Sequence, residues 1–108
     1  MLFDTIYRGD MYYIDPIGGA QGSEQHVGRP GIIVSNNICN DKSPVVEVVY
    51  LTTQPKNDLP THVSIRSAAK PSTALCEQIT SVSKERLSSF IGTISDDEQN
   101  RIDLALAV

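Results

Sequence analysis

Short apolar and alternating runs along the chain predict a series of β-strands. The run at 45–52 is apolar nearly throughout, which indicates burial on both faces at the centre of a sheet. Other runs are aromatic, β-branched or alternating, as expected for strands bounded by turn residues. The predicted strands are 11–14, 31–35, 45–52, 61–65, 73–82 and 90–94. In the fifth, strict alternation would place Ala74, Cys76, Gln78, Thr80 and Val82 on one face.

One helix is predicted at the end of the chain. Ser95, followed three residues later by Glu98, has the pattern of a capping box, and the acids of the first turn suit the positive end of the helix dipole. Ile102, Ala105 and Leu106 recur at helical spacing and predict one face packed on the sheet. A single helical turn is predicted at 83–87, and a polar connection at 36–44. Short strands with a terminal helix favour a small, curled, mostly antiparallel barrel.

A polar, glycine-bounded loop precedes the second predicted strand. Its stretch 22–30 carries a carboxylate, an imidazole and a guanidinium, from Glu24, His26 and Arg29. The loop is longer than compact domains usually contain unless the loop is functional. Such a loop, anchored by an apolar strand, has the layout of a site on a rigid scaffold.

Composition limits the classes of protein to which this loop can belong. A chain of 108 residues with 40% hydrophobic and 20% charged residues predicts one globular domain over 1–108. Cys39 and Cys76 match neither a disulfide framework nor a metal-ligand spacing, so we expect no metal and a reducing, cytoplasmic setting. No apolar run approaches membrane-spanning length. The net charge of −4 gives no support to nucleic-acid binding, but three of those negative charges fall within 95–108, which leaves room for a local basic site.

Seven short motifs follow one another along nearly the whole chain. They are YRGDMYYID at 7–15, GSEQ at 22–25, GRPGIIVSN at 28–36, LTTQ at 51–54, LPTHV at 59–63, ALCEQI at 74–79 and IGTIS at 91–95. In this order they resemble the MazF/PemK toxins of bacterial toxin-antitoxin pairs. No single motif is specific, and the resemblance rests on their ordered succession.

The resemblance implies a fold, an activity and partners. It implies a small SH3-like antiparallel barrel of the CcdB/PemK type with a C-terminal helix, assembled as a symmetric homodimer. The implied activity is that of an mRNA interferase, a sequence-specific, metal-independent endoribonuclease acting on single-stranded RNA without a cofactor. The implied partner is an antitoxin that blocks the RNA groove. Carried over residue by residue, the family's catalytic pair corresponds to Arg29 and Thr52.

Metal-free RNA cleavage explains why an arginine and a threonine suffice for much of the chemistry. The 2′-hydroxyl of RNA attacks the adjacent phosphorus and leaves a 2′,3′-cyclic phosphate and a 5′-hydroxyl, so negative charge develops on the phosphorane oxygens and needs preorganised donors. Arg29 offers a planar charged fork and Thr52 a hydroxyl. Arginine is a poor base. Glu24 and His26 are alternative bases, and the sequence does not choose between them.

Further residues are assigned to substrate binding through the same resemblance, although solvation or strand pairing explains each of them equally well. They are Ser23, Glu24, Gln25, Gln54, Glu77 and Gln78. His62 is interpreted as structural and Cys76 as a small core hydrophobe. Thr80 stands where relatives often carry an arginine, which removes one phosphate contact.

Two other functional classes stay open at the level of sequence. A CcdB-like toxin would bind DNA gyrase without cutting RNA, and a catalytically silent module would only bind a partner. Arg29 and Thr52 belong to the ribonuclease branch of the resemblance and favour the nuclease.

Overall fold

An antiparallel sheet of six strands forms the body of the protein. The computed structural model describes residues 5–16, 28–54 and 57–108. In these residues the elements are β1 Asp10–Ile14, β2 Arg29–Ile33, α1 Asn37–Lys42, β3 Val45–Thr52, β4 His62–Ile65, β5 Ser72–Ser83, a 3-10 turn Lys84–Arg86, β6 Leu87–Thr93 and α2 Asp96–Leu106. This confirms the predicted mostly-β class, the terminal helix and the helical turn.

The strand order across the sheet is β4-β5-β3-β2-β1-β6. Strands β4 and β6 are its two edges, and within the described residues they do not pair with each other, so the sheet is not closed by hydrogen bonds. Even so, side chains from five of the strands converge in one buried cluster that includes Tyr12, Ile33, Val48, Val82 and Leu87. This apolar cluster therefore extends across five neighbouring strands of the sheet.

Strand β3 lies inside the sheet and buries both of its faces, as its apolar sequence predicted. Val46, Val48 and Tyr50 belong to the cluster just described, whereas Val49 and Leu51 belong to a second cluster on the opposite face. Because successive side chains of a strand point to opposite faces, a nearly continuous apolar run is what such a position needs.

Helix α2 covers the second cluster. Ile102 and Ala105 are buried in it beside Met11 and Ile32, and Leu106 packs against it. Both hydrogen bonds of the capping box between Ser95 and Glu98 are present, which confirms the predicted helix start. No helix in the described part of the chain is long and apolar enough to cross a membrane.

The connection between β2 and β3 differs from its prediction. Strand β2 begins at Arg29, two residues earlier than predicted, and the polar stretch after it contains the short helix α1 instead of only a loop. Asn36 caps this helix by accepting a hydrogen bond from the backbone N–H of Cys39 at 2.9 Å. Asn40, 1% exposed, donates to the backbone carbonyl of Ser35 at 2.9 Å. Polar contacts therefore stabilise a helix that has no apolar periodicity.

Strand β5 departs from strict alternation. Leu51 pairs with Ala74 and Val49 pairs with Ile79, so four residues of β5, 75–78, lie against the single position Tyr50. This irregularity changes the face presented by the rest of the strand. Ala74 and Cys76 consequently belong to one cluster and Val82 to the other, and the prediction of one shared face was wrong.

Candidate active site

Arg29 and Thr52 lie at the same end of the paired strands β2 and β3. In the β2–β3 ladder Gly31 pairs with Tyr50 and Ile32 with Val49. Arg29, the first residue of β2, lies two residues before this ladder, and Thr52, the last residue of β3, lies two residues beyond it. The pair assigned from the sequence thus lies at one end of the central strands.

The guanidinium of Arg29 is held against an aromatic ring. Its Cζ lies 4.2 Å from the centroid of the Tyr50 ring, within the range of a cation–π contact. Arg29 itself is exposed and forms no ion pair with a carboxylate within the described residues. Stacking restricts the guanidinium while its N–H donors remain able to bind an anion.

The hydroxyl of Thr52 accepts a hydrogen bond from the turn that follows β3. The Thr52 Oγ1 accepts a hydrogen bond from the backbone N–H of Gln54 at 3.1 Å. A hydroxyl that accepts one bond keeps its own proton for donation. Because Thr52 is only partly buried, that proton is available to a ligand beside Arg29.

Gly28 explains how β2 begins so close to β1. A Cβ placed on Gly28 would lie 2.8 Å from the Ile14 carbonyl oxygen and 2.9 Å from its carbonyl carbon. These are backbone atoms that cannot rotate away, and Ile14 is paired with Arg29 in the β1–β2 ladder. Glycine therefore permits the close approach that sets the position of Arg29.

Two clefts meet at the segment that follows β3. One has a volume of about 550 Å³ and is lined by Thr52, Gln54, Ser64, Arg66 and Thr73, among others. The second, about 480 Å³, also includes Thr52 and Gln54 and is bounded by Tyr13, Pro30 and Lys70. Gln54, a predicted substrate-binding residue, therefore lies beside Thr52 where both clefts open.

Glu77 and Gln78, the other described residues predicted to bind substrate, are exposed and lie in the irregularity of β5 opposite Tyr50. Glu77 Oε2 is 3.1 Å from His62 Nε2, and His62 Nδ1 is 2.8 Å from the Asn57 carbonyl oxygen. A hydrogen bond from its own backbone N–H lowers the pKa of Glu77, and the contacts with His62 and Thr61 add to this against the opposing effect of burial. His62 thus connects Glu77 to the backbone of the segment before β4.

The remaining assigned residues, Ser23, Glu24 and Gln25, lie outside the described residues, as does His26. Elsewhere, burial raises the pKa of the Cys76 thiol to about 11, with the charge of Glu77 adding to the effect, and the side chain belongs to the core as predicted. No group of three or more His, Cys, Asp or Glu side chains suited to a metal ion occurs in the described ranges.

The structure adds residues that the reading of the sequence did not assign to the site. Tyr50 supports Arg29, and Ser64, Arg66 and Thr73 line the larger cleft. Ser64 and Arg66 stand on the polar positions of the alternating strand that includes buried Val63 and Ile65, which was a usable signal. Their proximity to Thr52 required the strand register, which the sequence does not show.

Comparison with known proteins decides the family. The model of the PemK-like, MazF-like toxin of type II toxin-antitoxin systems matches residues 7–108. The chain belongs to the PemK-like, MazF-like toxin family. The resemblance of the seven motifs is thereby confirmed.

Individual members of the PemK/MazF family agree with this assignment. The endoribonuclease EndoA of Bacillus subtilis strain 168 is 36% identical over 108 residues, with 95% of this chain and 92% of EndoA covered. An endoribonuclease structure from a mycobacterial species is 27% identical, has a TM-score of 0.80 and covers 99% of this chain and 92% of its own. A mycobacterial endoribonuclease solved in complex with its cognate antitoxin is 29% identical, with a TM-score of 0.80 and coverage of 94% and 91%. These relatives confirm the predicted enzyme class, an endoribonuclease.

Proposed function

We propose that this chain is a single-domain, sequence-specific and metal-independent endoribonuclease toxin that cleaves single-stranded RNA and is neutralised by a cognate antitoxin. The observation that carries the proposal is the position of Arg29 and Thr52 at the same end of strands β2 and β3, in a member of the PemK/MazF family. Both side chains offer hydrogen-bond donors, and two clefts open beside Thr52.

The reaction begins when the RNA 2′-hydroxyl oxygen forms a bond to the adjacent phosphorus. The bond between phosphorus and the 5′-oxygen then breaks, and that oxygen takes up a proton as the 5′-hydroxyl of the second product. Negative charge on the non-bridging oxygens increases towards the phosphorane. Arg29 donates two N–H groups to these oxygens, and Thr52 donates its hydroxyl proton.

Proton transfer is assigned separately from charge stabilisation. Arginine side chains stay protonated in proteins, so the principal role of Arg29 is electrostatic. Glu24 and His26, the two candidate bases, belong to the loop outside the described residues. Each stays a candidate for removing the 2′-proton.

Dimerisation and antitoxin binding form the second part of the proposal. Several large apolar side chains are well exposed on the described surface: Tyr7, Ile38, Val45, Ile79, Phe90, Leu104 and Val108. A second copy of the chain and the antitoxin would cover part of this surface. The similar mycobacterial endoribonuclease in complex with its cognate antitoxin supports the antitoxin partner.

The test is incubation of the purified protein with a long end-labelled single-stranded RNA in excess EDTA. We expect discrete cuts that end in 2′,3′-cyclic phosphate. We expect Arg29→Ala to cut at least 100-fold more slowly, because one preorganised donor to an oxyanion contributes 100- to 1,000-fold.

Arg101→Ala is the matched control, since this exposed arginine pairs with Asp97 on α2. Equal loss in both variants would remove Arg29 from the catalytic role. Absence of cuts by the folded wild-type protein would reject the nuclease, and light scattering of the same sample at micromolar concentration would reject the dimer if it reports a monomer.

A further inference from the structure

A row of polar side chains continues across the sheet beyond the proposed catalytic pair. Thr52 pairs with Thr73 in the β3–β5 ladder, and Thr73 pairs with Ser64 in the β4–β5 ladder. Paired residues of antiparallel strands share one face, so Thr52, Thr73 and Ser64 form a continuous row, and Arg29 lies at the same end of the neighbouring strand β2. The row alone spans two interstrand spacings of about 4.8 Å, about 10 Å in all, which is more than a single phosphate group occupies.

Arg66 lies just after β4, two residues beyond Ser64. It lines the larger cleft together with Thr52, Ser64 and Thr73. The cleft therefore combines one guanidinium with several hydroxyl groups, and none of the described residues that line it is acidic. A guanidinium beside hydroxyl donors is a suitable environment for a phosphate.

Two cations beside these clefts form no ion pair among the described residues. Arg8 is paired with Asp103 and Arg101 with Asp97. Neither Arg66 nor Lys70 forms an ion pair within the ranges 5–16, 28–54 and 57–108. In a protein with a net charge of −4, cations that are not neutralised by neighbouring carboxylates give these clefts a local attraction for anions.

A buried carboxylate fixes the backbone from which Arg66 projects. Glu98 Oε2 accepts hydrogen bonds from the backbone N–H of Arg66 at 2.7 Å and of Ser67 at 3.3 Å. Its Oε1 accepts from the Ser67 hydroxyl at 2.6 Å and from the Ser95 N–H at 2.9 Å. Glu98 is 4% exposed. The Arg66 backbone is thus preorganised, while its side chain is exposed.

We propose that Arg66, with Thr73 and Ser64, binds an RNA phosphate next to the scissile one, as a second phosphate subsite. This inference rests on the proposed nuclease function, because it places the scissile phosphate between Arg29 and Thr52. The row then holds two successive phosphates of one strand. Arg66 contributes affinity and register, and the charge stabilisation at the reacting phosphorus stays with Arg29.

The first measurement is the salt dependence of RNA binding by wild type and Arg66→Gln. The probe is an oligonucleotide with the cleaved sequence found for the wild type and a 2′-deoxy nucleotide at the scissile position, which lacks the attacking hydroxyl. Each phosphate contact to a single strand contributes about 0.7 to the slope of log K against log salt concentration. We expect the slope of Arg66→Gln to be smaller in magnitude by about 0.7 and its affinity to be about 10-fold lower.

Arg101→Gln is the control with the same change of charge, and we expect it to keep the wild-type slope. The thermal unfolding of Arg66→Gln should match that of the wild type, because Glu98 is bound by the backbone N–H of Arg66 and not by its side chain. A wild-type slope in Arg66→Gln, or an equal change in both variants, would overturn the subsite.

The second measurement locates the phosphate. Neutral methylphosphonate groups replace single phosphates of the cleavable oligonucleotide, one position at a time, and the rate is measured for wild type and Arg66→Gln. We expect one non-scissile position at which neutralisation slows the wild type about 10-fold and leaves Arg66→Gln unaffected. Equal effects in both proteins at every position would reject the subsite while leaving the nuclease intact. Failure of the wild type to cut any RNA would instead reject the nuclease and the subsite with it.

Discussion

Two polar clusters of this protein use similar chemical groups in opposite ways. Around Glu98 a buried carboxylate accepts four hydrogen bonds, from Ser95, Arg66 and Ser67, within 3.3 Å. The second cluster consists of Arg29 and Thr52. The N–H and O–H donors of their side chains have no carboxylate acceptor among the described residues. The first cluster is internally satisfied, and the second is not.

The difference separates polar groups that stabilise the fold from those available to a ligand. Buried polar groups must be hydrogen-bonded, and the satisfied cluster fastens the start of α2 to the segment that follows β4. Donors left at a cleft have no such structural role and suit an anionic substrate. The backbone N–H of Arg66 binds Glu98 in the first cluster, and Arg66 also lines the cleft that includes Thr52 of the second cluster. Arg66 therefore connects the two clusters.

Glu98→Gln should have the largest effect on stability. Burial acts to raise the pKa of Glu98, but the hydrogen bonds from Ser67, Ser95 and Arg66 outweigh it and lower the pKa to about 2 from 4.5. The ionised form therefore contributes on the order of 3 kcal/mol at neutral pH. We expect urea unfolding at pH 7 to show a loss of that size, because an amide N–H₂ would face donors instead of accepting from them.

The pH dependence has a definite sign. A lowered folded-state pKa gives stability that is complete above pH 4.5 and is lost as the pH falls towards about 2. Wild type and Glu98→Gln should therefore converge over that interval. Asp96→Asn, at an exposed acid in the same first turn of α2, is the control and should cost less than about 1 kcal/mol. If Asp96→Asn and Glu98→Gln were equally destabilised, the contribution would come from the helix dipole and not from the buried cluster.

Local sequence predicted the part of the Glu98 cluster that belongs to the start of α2, but it did not predict the contacts of Glu98 with residues distant in the chain. The capping box is encoded within four residues, so Ser95 and Glu98 predicted the start of α2. The contacts of Glu98 with Arg66 and Ser67 join segments about 30 residues apart, and no local pattern indicates them. Helix α1 was missed for a different reason: the polar contacts that stabilise it, such as that of Asn40 with the Ser35 carbonyl five residues earlier, produce no apolar periodicity.

The second cluster, Arg29 and Thr52, was located through family resemblance and not through the chemistry of its residues. Arg29 before a proline and Thr52 at a strand end are ordinary residues in isolation. Their position at one end of the sheet depends on the pairing of β2 with β3, and the pairing of Thr52 with Thr73 depends on an irregularity in β5. Register is a property of paired strands, so the row from Thr52 to Ser64 became visible only in the folded sheet.

Thr52→Val tests the role of the Thr52 hydroxyl while nearly keeping the shape of the side chain. The substitution removes one hydroxyl donor at the partly buried end of β3 and keeps the branched side chain. We expect a loss of about 10-fold in the rate of RNA cleavage, because one hydrogen bond to a charged oxygen disappears in the transition state. Thr52→Ser retains the hydroxyl and should recover most of the rate. A slow Thr52→Ser together with a fast Thr52→Val would show that packing, and not donation, is the role of Thr52.

Glu77→Gln should change the free energy of unfolding least of these substitutions. It compares the exposed carboxylate of Glu77 with the buried carboxylate of Glu98. Glu77 lies beside His62, and its pKa is lowered chiefly by its own backbone N–H. Partly exposed pairs of this kind contribute less than about 1 kcal/mol, so the unfolding midpoint should hardly move. Glu77 lies in the irregularity of β5 opposite Tyr50, whose ring contacts Arg29. If Glu77 contacts a base, the set of cleaved sequences should broaden, since an amide presents donors where the carboxylate only accepts. Glu47→Gln is the control. Glu47 also accepts a hydrogen bond from the neighbouring strand, donated by the Ser81 hydroxyl, but it lies near the other end of β3. Sequencing of the cleavage products decides the matter: an unchanged set in Glu77→Gln, or the same broadening in both variants, would leave Glu77 a surface residue and move base recognition to other parts of the site.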